Sequence, residues 1–129
     1  MKEKRKFEME FPIHASPHML FQYLSETSFL DEWFADEVNS QDDIYIFTWD
    51  GNEEKARLLN YSTNEFVKFR WLSDEEKGLD VYFEIRIQVD ELTKDVALIV
   101  TDFAYEDEME EQQLFWEEQI MELKHIIGA

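Results

Sequence analysis

The chain has 129 residues, 12 basic and 31 acidic side chains, and no cysteine. This length predicts one domain spanning residues 1–129, and the lack of cysteine excludes disulfides, thiolate zinc sites and cysteine nucleophiles. The formal charge of −19 disfavours nucleic acid as a partner, and no apolar run approaches the roughly 20 residues that cross a bilayer, so we expect a cytoplasmic protein without membrane insertion.

The N-terminal third predicts one strand and two short helices. Residues 1–6 carry four basic side chains and one acidic one, and we expect them to form a flexible basic N-terminus. Residues 6–13 alternate between polar and apolar side chains, which is typical of a half-buried strand. Ser16 and Pro17 then supply an N-cap and a proline at the first helical position. A second short helix is predicted at residues 28–34.

The middle of the chain predicts a sheet. Five runs rich in β-branched and aromatic residues follow one another, at 44–49, 55–61, 66–71, 81–89 and 96–105. The connections between them are short and contain turn residues. Because parallel neighbours need long crossovers, this spacing predicts an antiparallel meander.

The last segment, residues 108–127, predicts one long amphipathic helix. Its apolar stripe consists of Met109, Trp116, Ile120, Leu123 and Ile127. A meander with one apolar face needs a cover, and this helix is the only predicted element long enough to provide it. The predicted fold class is therefore α+β.

Several local strings resemble the START-like, helix-grip superfamily. The matching segments are residues 15–17 and 20–24, FLDEWF at 29–34, FTWDG at 47–51, FVKFRW at 66–71 and WEEQ at 116–119. Within the superfamily, the chain is similar to the small proteins that resemble the activator of the heat-shock chaperone ATPase. The resemblance implies a curved antiparallel sheet wrapped around the C-terminal helix, with two short helices after the first strand. It also implies a ligand cavity between helix and sheet.

A candidate pocket follows from the aromatic inventory. We expect large apolar side chains to converge between the last helix and the sheet, either as a packed core or as the lining of a small cavity. The candidates are Trp33, Phe34, Trp49, Phe69, Trp71, Phe83, Trp116 and Ile120. A lipid-like or aromatic small molecule is the ligand class that such a lining favours.

The sequence predicts no catalytic residue, metal ligand or cofactor. His14 and His18 lie close together, but no third ligand has metal spacing beside them, and we expect both on the surface. Asp102 interrupts an apolar strand run, and we expect it to face solvent. An enzyme is the third hypothesis, favoured only if Asp102 or His14 lines a cleft.

Two surface features suggest an alternative function. Leu114 and Met121 project away from the apolar stripe of the last helix, where they mark a candidate protein contact. The outer face of the sheet is expected to carry a basic stripe that includes Lys68, Arg70 and Arg86. These side chains either pair with acidic residues of neighbouring strands or bind an acidic partner such as a second copy of the chain. The leading hypothesis is a non-enzymatic protein that binds a hydrophobic small molecule. The alternative is a protein-interaction or chaperone-associated module, or a homodimer, acting through its acidic surface and C-terminal helix.

Overall fold

Seven antiparallel strands form the framework of the computed structural model, which describes residues 2–129. The strands are β1 (Arg5–Pro12), β2 (Glu37–Gln41), β3 (Ile44–Trp49), β4 (Asn52–Ser62), β5 (Phe66–Trp71), β6 (Phe83–Val89) and β7 (Val96–Ala104). The helices are α1 (Pro17–Ser25), α2 (Thr27–Trp33), α3 (Leu72–Glu76) and α4 (Met109–Ile127). A short 3-10 helix at Glu106–Glu108 leads directly into α4.

The strands lie in one sheet in the order β1-β7-β6-β5-β4-β3-β2. From β2 to β7 each strand pairs with its successor, so the predicted antiparallel meander is confirmed. The first strand pairs with the last, β1 with β7. Helices α1 and α2 therefore connect strands at opposite edges of the sheet. The structure confirms the predicted α+β helix-grip fold with a curved sheet and a long C-terminal helix.

Helix α4 covers the concave side of the sheet. Trp116, Ile120 and Leu123 are at most 1% exposed, whereas Met109 and Ile127 at the helix ends are partly exposed. The helix begins in an acidic segment, where carboxylates stabilise the positive end of the helix dipole. It ends at Gly128, whose φ of +72° is a left-handed conformation that favours glycine.

The first strand begins earlier than predicted. The predicted strand starts at Lys6, whereas β1 starts one residue earlier, at Arg5, and Arg5 and Lys6 pair with Ala104 and Phe103 in β7. The expected flexible N-terminus of residues 1–6 therefore overlaps β1 at these two residues. The flexibility of the preceding residues stays a prediction, and Met1 lies outside the described residues.

Two elements were absent from the prediction. Strand β2 (EVNSQ) buries Val38 and exposes its other residues, so it lacks the apolar alternation of a typical strand. Helix α3 has five residues and buries an aspartate, Asp74. Among residues 2–129, no helix combines the length and the apolar composition that crossing a bilayer requires.

Candidate functional site

Most of the predicted pocket residues pack against one another. Six of the eight are at most 4% exposed, namely Trp33, Phe34, Phe69, Phe83, Trp116 and Ile120. The ring of Phe34 lies 5.0 Å from that of Phe47 and 5.7 Å from that of Trp116, measured between centroids. Phe69 and Phe83 stack at 5.2 Å. These rings are in contact with one another and form a continuous aromatic core.

The remaining two, Trp49 and Trp71, are partly exposed and line a cleft of about 350 Å³. The cleft lies between the first half of α4, the end of β7 and the ends of β3 and β5. Its apolar lining includes the aromatic rings of Trp49, Trp71 and Phe115. The ring centroid of Trp49 is 6.2 Å from that of Trp71 and 6.0 Å from that of Phe115, so the three rings form one surface.

Asp102 forms the polar side of this cleft. It is 5% exposed, and its Oδ1 accepts a hydrogen bond from the Phe103 backbone N–H at 2.7 Å. Its Oδ2 accepts from Nε1 of Trp116 at 2.8 Å and from Nε2 of Gln112 at 2.9 Å. The prediction that Asp102 faces solvent is therefore wrong.

Strand pairing explains the orientation of Asp102. Asp102 lies opposite Phe7 in β1, on the side of the sheet that also carries Leu98 and Val100, which are both 0% exposed. Both parities of β7 are apolar, so the strand's own pattern does not distinguish its faces. The alternation of β1 supplies the missing signal, because Phe7 belongs to the inward-facing set.

Burial raises the pKa of Asp102 above its ordinary value of 3.8, since removal of water disfavours the charged form. The hydrogen bonds from Trp116, Gln112 and Phe103 and the positive charge of Lys4 oppose this rise. Asp102 is thus a carboxyl group that is largely shielded from solvent and that accepts hydrogen bonds from three protein donors. Such a group can accept a further hydrogen bond or retain a proton.

A second buried carboxylate lies on the same cleft. Asp74 is 4% exposed, and its Oδ1 accepts a hydrogen bond at 2.8 Å from Nζ of Lys4, whose side chain is 20% exposed. Lys4 also lies 5.5 Å from the ring centroid of Tyr105. Sequence reasoning missed this pair, because Lys4 was placed in the flexible N-terminus and Asp74 belongs to the unpredicted helix α3.

The cleft carries a net negative charge. Four acidic residues and one lysine line it, namely Glu54, Asp74, Asp102, Glu108 and Lys4. With all carboxylates ionised, these groups carry a formal charge of −3. No histidine lines the cleft within the described part of the chain; His14 lies on a separate groove beside Asp95. Asp102 nevertheless meets the geometric condition that the enzyme hypothesis set, because it lines a cleft.

The candidate interaction residues are placed as follows. Leu114 and Met121 are 53% and 69% exposed, which confirms their predicted exposure on α4. The basic side chains of the outer sheet face have internal contacts: Lys68 lies over the Tyr82 ring, Arg70 donates to Asp80 and to the Val81 carbonyl, and Arg86 donates to Glu84. Their contact with a partner stays a prediction.

Comparison with known proteins agrees with this architecture. Residues 1–129 match the family model of the START-like superfamily domain. The solution structure of BfR322 from Bacteroides fragilis is 31% identical, with 98% of this chain and 93% of that chain covered and a TM-score of 0.67. No curated protein sequence matches the chain.

Two further structures are similar in fold alone. The Aha1 dimer from Colwellia psychrerythraea is 16% identical, with 93% of each chain covered and a TM-score of 0.79. The protein MLL2253 from Mesorhizobium loti is 14% identical, with 96% of this chain and 97% of that chain covered and a TM-score of 0.75.

Proposed function

The chain belongs to the START-like superfamily, and we propose that it is a non-enzymatic binding protein for a small aromatic molecule. The ligand occupies the cleft between α4 and the sheet. Trp49, Trp71 and Phe115 contact its ring, and Asp102 contacts its polar group.

The observation that carries this proposal is the coexistence of open volume and an aromatic wall beside a buried polar group. Ligand sites usually have volumes of roughly 300–1,000 Å³, apolar walls and a few polar groups that fix orientation. The cleft, at about 350 Å³, lies at the lower end of that range. Of the two ligand classes expected from the sequence, this size favours a single aromatic ring system over a long acyl chain.

The indole N–H groups of the four tryptophans provide a direct test. Trp49 and Trp71 line the cleft, whereas Nε1 of Trp33 donates to the Tyr23 carbonyl at 2.9 Å and is separate from it. We would record ¹H–¹⁵N spectra of the labelled protein with a library of aromatic and lipid-like fragments. Ligands should shift the Trp49 and Trp71 signals and leave Trp33 unchanged.

A matched pair of variants localises the binding. Trp71→Ala removes part of the aromatic wall and should weaken binding about tenfold, because aromatic stacking and burial contribute on the order of 1–2 kcal/mol. Tyr61→Ala removes an aromatic side chain that is 56% exposed and does not line the cleft, and binding should be unchanged. A library without any ligand that shifts the Trp49 and Trp71 signals would refute the proposal.

The exposed apolar residues of α4 support a second candidate function, a protein-interaction module. Leu114 and Met121 lie seven residues apart on the solvent side of the helix, and their exposure is unusual on a helix that is otherwise acidic there. The Aha1 protein from Colwellia psychrerythraea, which is similar to this chain in fold, is a dimer. A second copy of this chain is accordingly the partner to test first.

The double variant Leu114→Glu and Met121→Glu tests this alternative. Sedimentation equilibrium over a range of concentrations should show a dimer for the unmodified protein and a monomer for the variant, with equal thermal stability. A control with Glu117→Lys and Glu118→Lys changes exposed residues of the same helix without removing apolar surface. Monomeric behaviour of the unmodified protein at all concentrations would exclude the homodimer.

A further inference from the structure

We propose that the cleft selects aromatic ligands that carry a protonated amine, with the ammonium group bound at Asp102 and the ring against Trp49, Trp71 and Phe115. This inference rests on the proposed function and specifies the chemical class of the ligand. It follows from the charge of the lining, the hydrogen-bonding capacity of Asp102 and the geometry of the aromatic wall.

The charge of the cleft favours a cation. Lys4 is hydrogen-bonded to Asp74 and its charge also acts on Asp102, but within residues 2–129 this one cation faces four lining carboxylates, Glu54, Asp74, Asp102 and Glu108. An anionic ligand would add a like charge beside these carboxylates. The formal charge of −19 on the whole chain adds a longer-range attraction for cations, which salt weakens.

Asp102 retains capacity for one more donor. An ionised carboxylate offers about four acceptor positions. Three are used, by the Phe103 backbone N–H, Gln112 and Trp116, and the group lines the cleft. A hydrogen bond from an ammonium group to a carboxylate is stronger than a neutral one, and the burial of Asp102 strengthens it further.

Lys4 shows that this end of the cleft accommodates an ammonium group. Its Nζ lies 2.8 Å from Asp74 Oδ1 in a position that is largely shielded from solvent. The chain itself therefore supplies a primary amine to one of the two buried carboxylates. Among residues 2–129, the donors to the other, Asp102, are uncharged: the Phe103 backbone N–H, Gln112 and Trp116.

The aromatic wall completes the recognition of such a ligand. Trp49, Trp71 and Phe115 present rings that can stack on a ligand ring. The faces of tryptophan and phenylalanine also attract cations, with tryptophan the strongest. An amine separated from a ring by a short linker can therefore contact Asp102 and the wall at once.

Three probes of one shape test this selectivity: tryptamine, 3-propylindole and indole-3-propionate, which carry a positive, a neutral and a negative end group. Each is titrated into the ¹⁵N-labelled protein, and affinity is read from the Trp49 and Trp71 indole signals. Tryptamine should bind at least about tenfold more tightly than 3-propylindole, as expected for a hydrogen bond between charged groups. Indole-3-propionate should bind most weakly.

Variants assign the preference to the carboxylates. Asp102→Asn should reduce the affinity for tryptamine about tenfold and leave 3-propylindole unchanged. If Asp102→Asn does not fold, a second variant replaces it. Glu54→Gln with Glu108→Gln removes two exposed charges of the cleft and should lower the affinity for tryptamine about threefold. Glu117→Gln with Glu118→Gln removes two exposed charges that do not line the cleft, and tryptamine affinity should then be nearly unchanged.

The outcomes separate the two proposals. Equal binding of tryptamine and 3-propylindole at Trp49 and Trp71 would overturn the amine selectivity and leave small-molecule binding intact. Amine selectivity would also be overturned if Asp102→Asn and the double variant Glu54→Gln with Glu108→Gln both bind tryptamine with the affinity of the unmodified protein. If none of the three probes shifts these signals, while the fragment library does yield a ligand for the cleft, the amine class is wrong and the binding function stands.

Discussion

The two ends of the space between α4 and the sheet differ in how their aromatic residues pack. At one end, Phe34, Phe47 and Phe69 pack against one another and against further rings, and each is at most 1% exposed. At the other end, Trp49 and Trp71 have a cleft in front of them. The closed end contains apolar side chains, whereas the cleft also contains polar groups that must keep their hydrogen bonds.

This difference indicates why open volume survives where it does. Apolar rings pack without directional demands, so they approach until the space is filled. The carboxylates of Asp102 and Asp74 are held at fixed distances by Trp116, Gln112 and Lys4. A buried polar group without such partners would be costly, so the side chains around the cleft must pack in a way that leaves these hydrogen bonds intact.

The largest expected effect concerns the closed end. Phe34→Ala should lower the free energy of unfolding by about 3–5 kcal/mol, because it removes a buried ring and leaves a cavity. Urea denaturation measures this change. Leu92→Ala is the matched control: Leu92 is 93% exposed, and its loss should change stability by less than about 0.5 kcal/mol. A small effect of Phe34→Ala would show that this end is loosely packed.

The second prediction concerns Asp102. Asp102→Leu keeps the branched shape of the side chain but removes both acceptor oxygens, and it should cost about 2–3 kcal/mol, because it leaves the Trp116 indole N–H buried without an acceptor. In the background of Trp116→Phe, which removes that donor, the same change should cost less. The coupling energy from this double-mutant cycle measures the hydrogen bond. Additive effects would mean that Asp102 does not hold Trp116.

The third prediction compares two lysines of the N-terminal segment. Lys4→Met should destabilise the protein by about 1–2 kcal/mol, because it leaves the buried Asp74 carboxylate without a charged partner. Lys2 pairs with Asp107 at the surface, where both side chains are more than half exposed. Exposed pairs contribute little, so Lys2→Met should leave the denaturation midpoint unchanged. Equal effects of the two variants would place Asp74 in water.

The smallest expected effect is a dependence of stability on pH. Because burial raises the pKa of Asp102 in the folded protein above 3.8, the folded state binds this proton more tightly than the unfolded state. The contribution of Asp102 to stability therefore falls as pH rises from about 4 through the raised pKa. Relative to Asp102→Asn, the unmodified protein should gain stability when pH is lowered from 7 towards 4. An unchanged difference across that range would contradict the pKa shift.

Most of the fold could be predicted from the sequence because its elements carry strong local signals. Strands β3 and β5 have the predicted bounds, and α4 starts one residue later than predicted. Strand β2 could not be predicted because it lies at the edge of the sheet and buries one residue, Val38. Its position depends on pairing with β3, which is tertiary information.

The site was only partly predictable. The aromatic residues were identified, but their sequence does not distinguish a ring that fills the core from one that faces a cleft. The orientation of Asp102 depends on the register between β1 and β7, which joins residues far apart in the chain. The contact of Lys4 with Asp74 spans 70 positions, and neither residue has a local pattern that indicates burial.

The pairing of β1 with β7 has a consequence for the order of events during synthesis. The partners of β1 follow it by 85 residues at Pro12–Ala97 and by 99 at Arg5–Ala104. Strand β1 must therefore wait for its pairing partner until β7 has left the ribosome. Such long-range pairing slows folding, and the charged residues that alternate along β1 protect its edge from association with other chains in the interval.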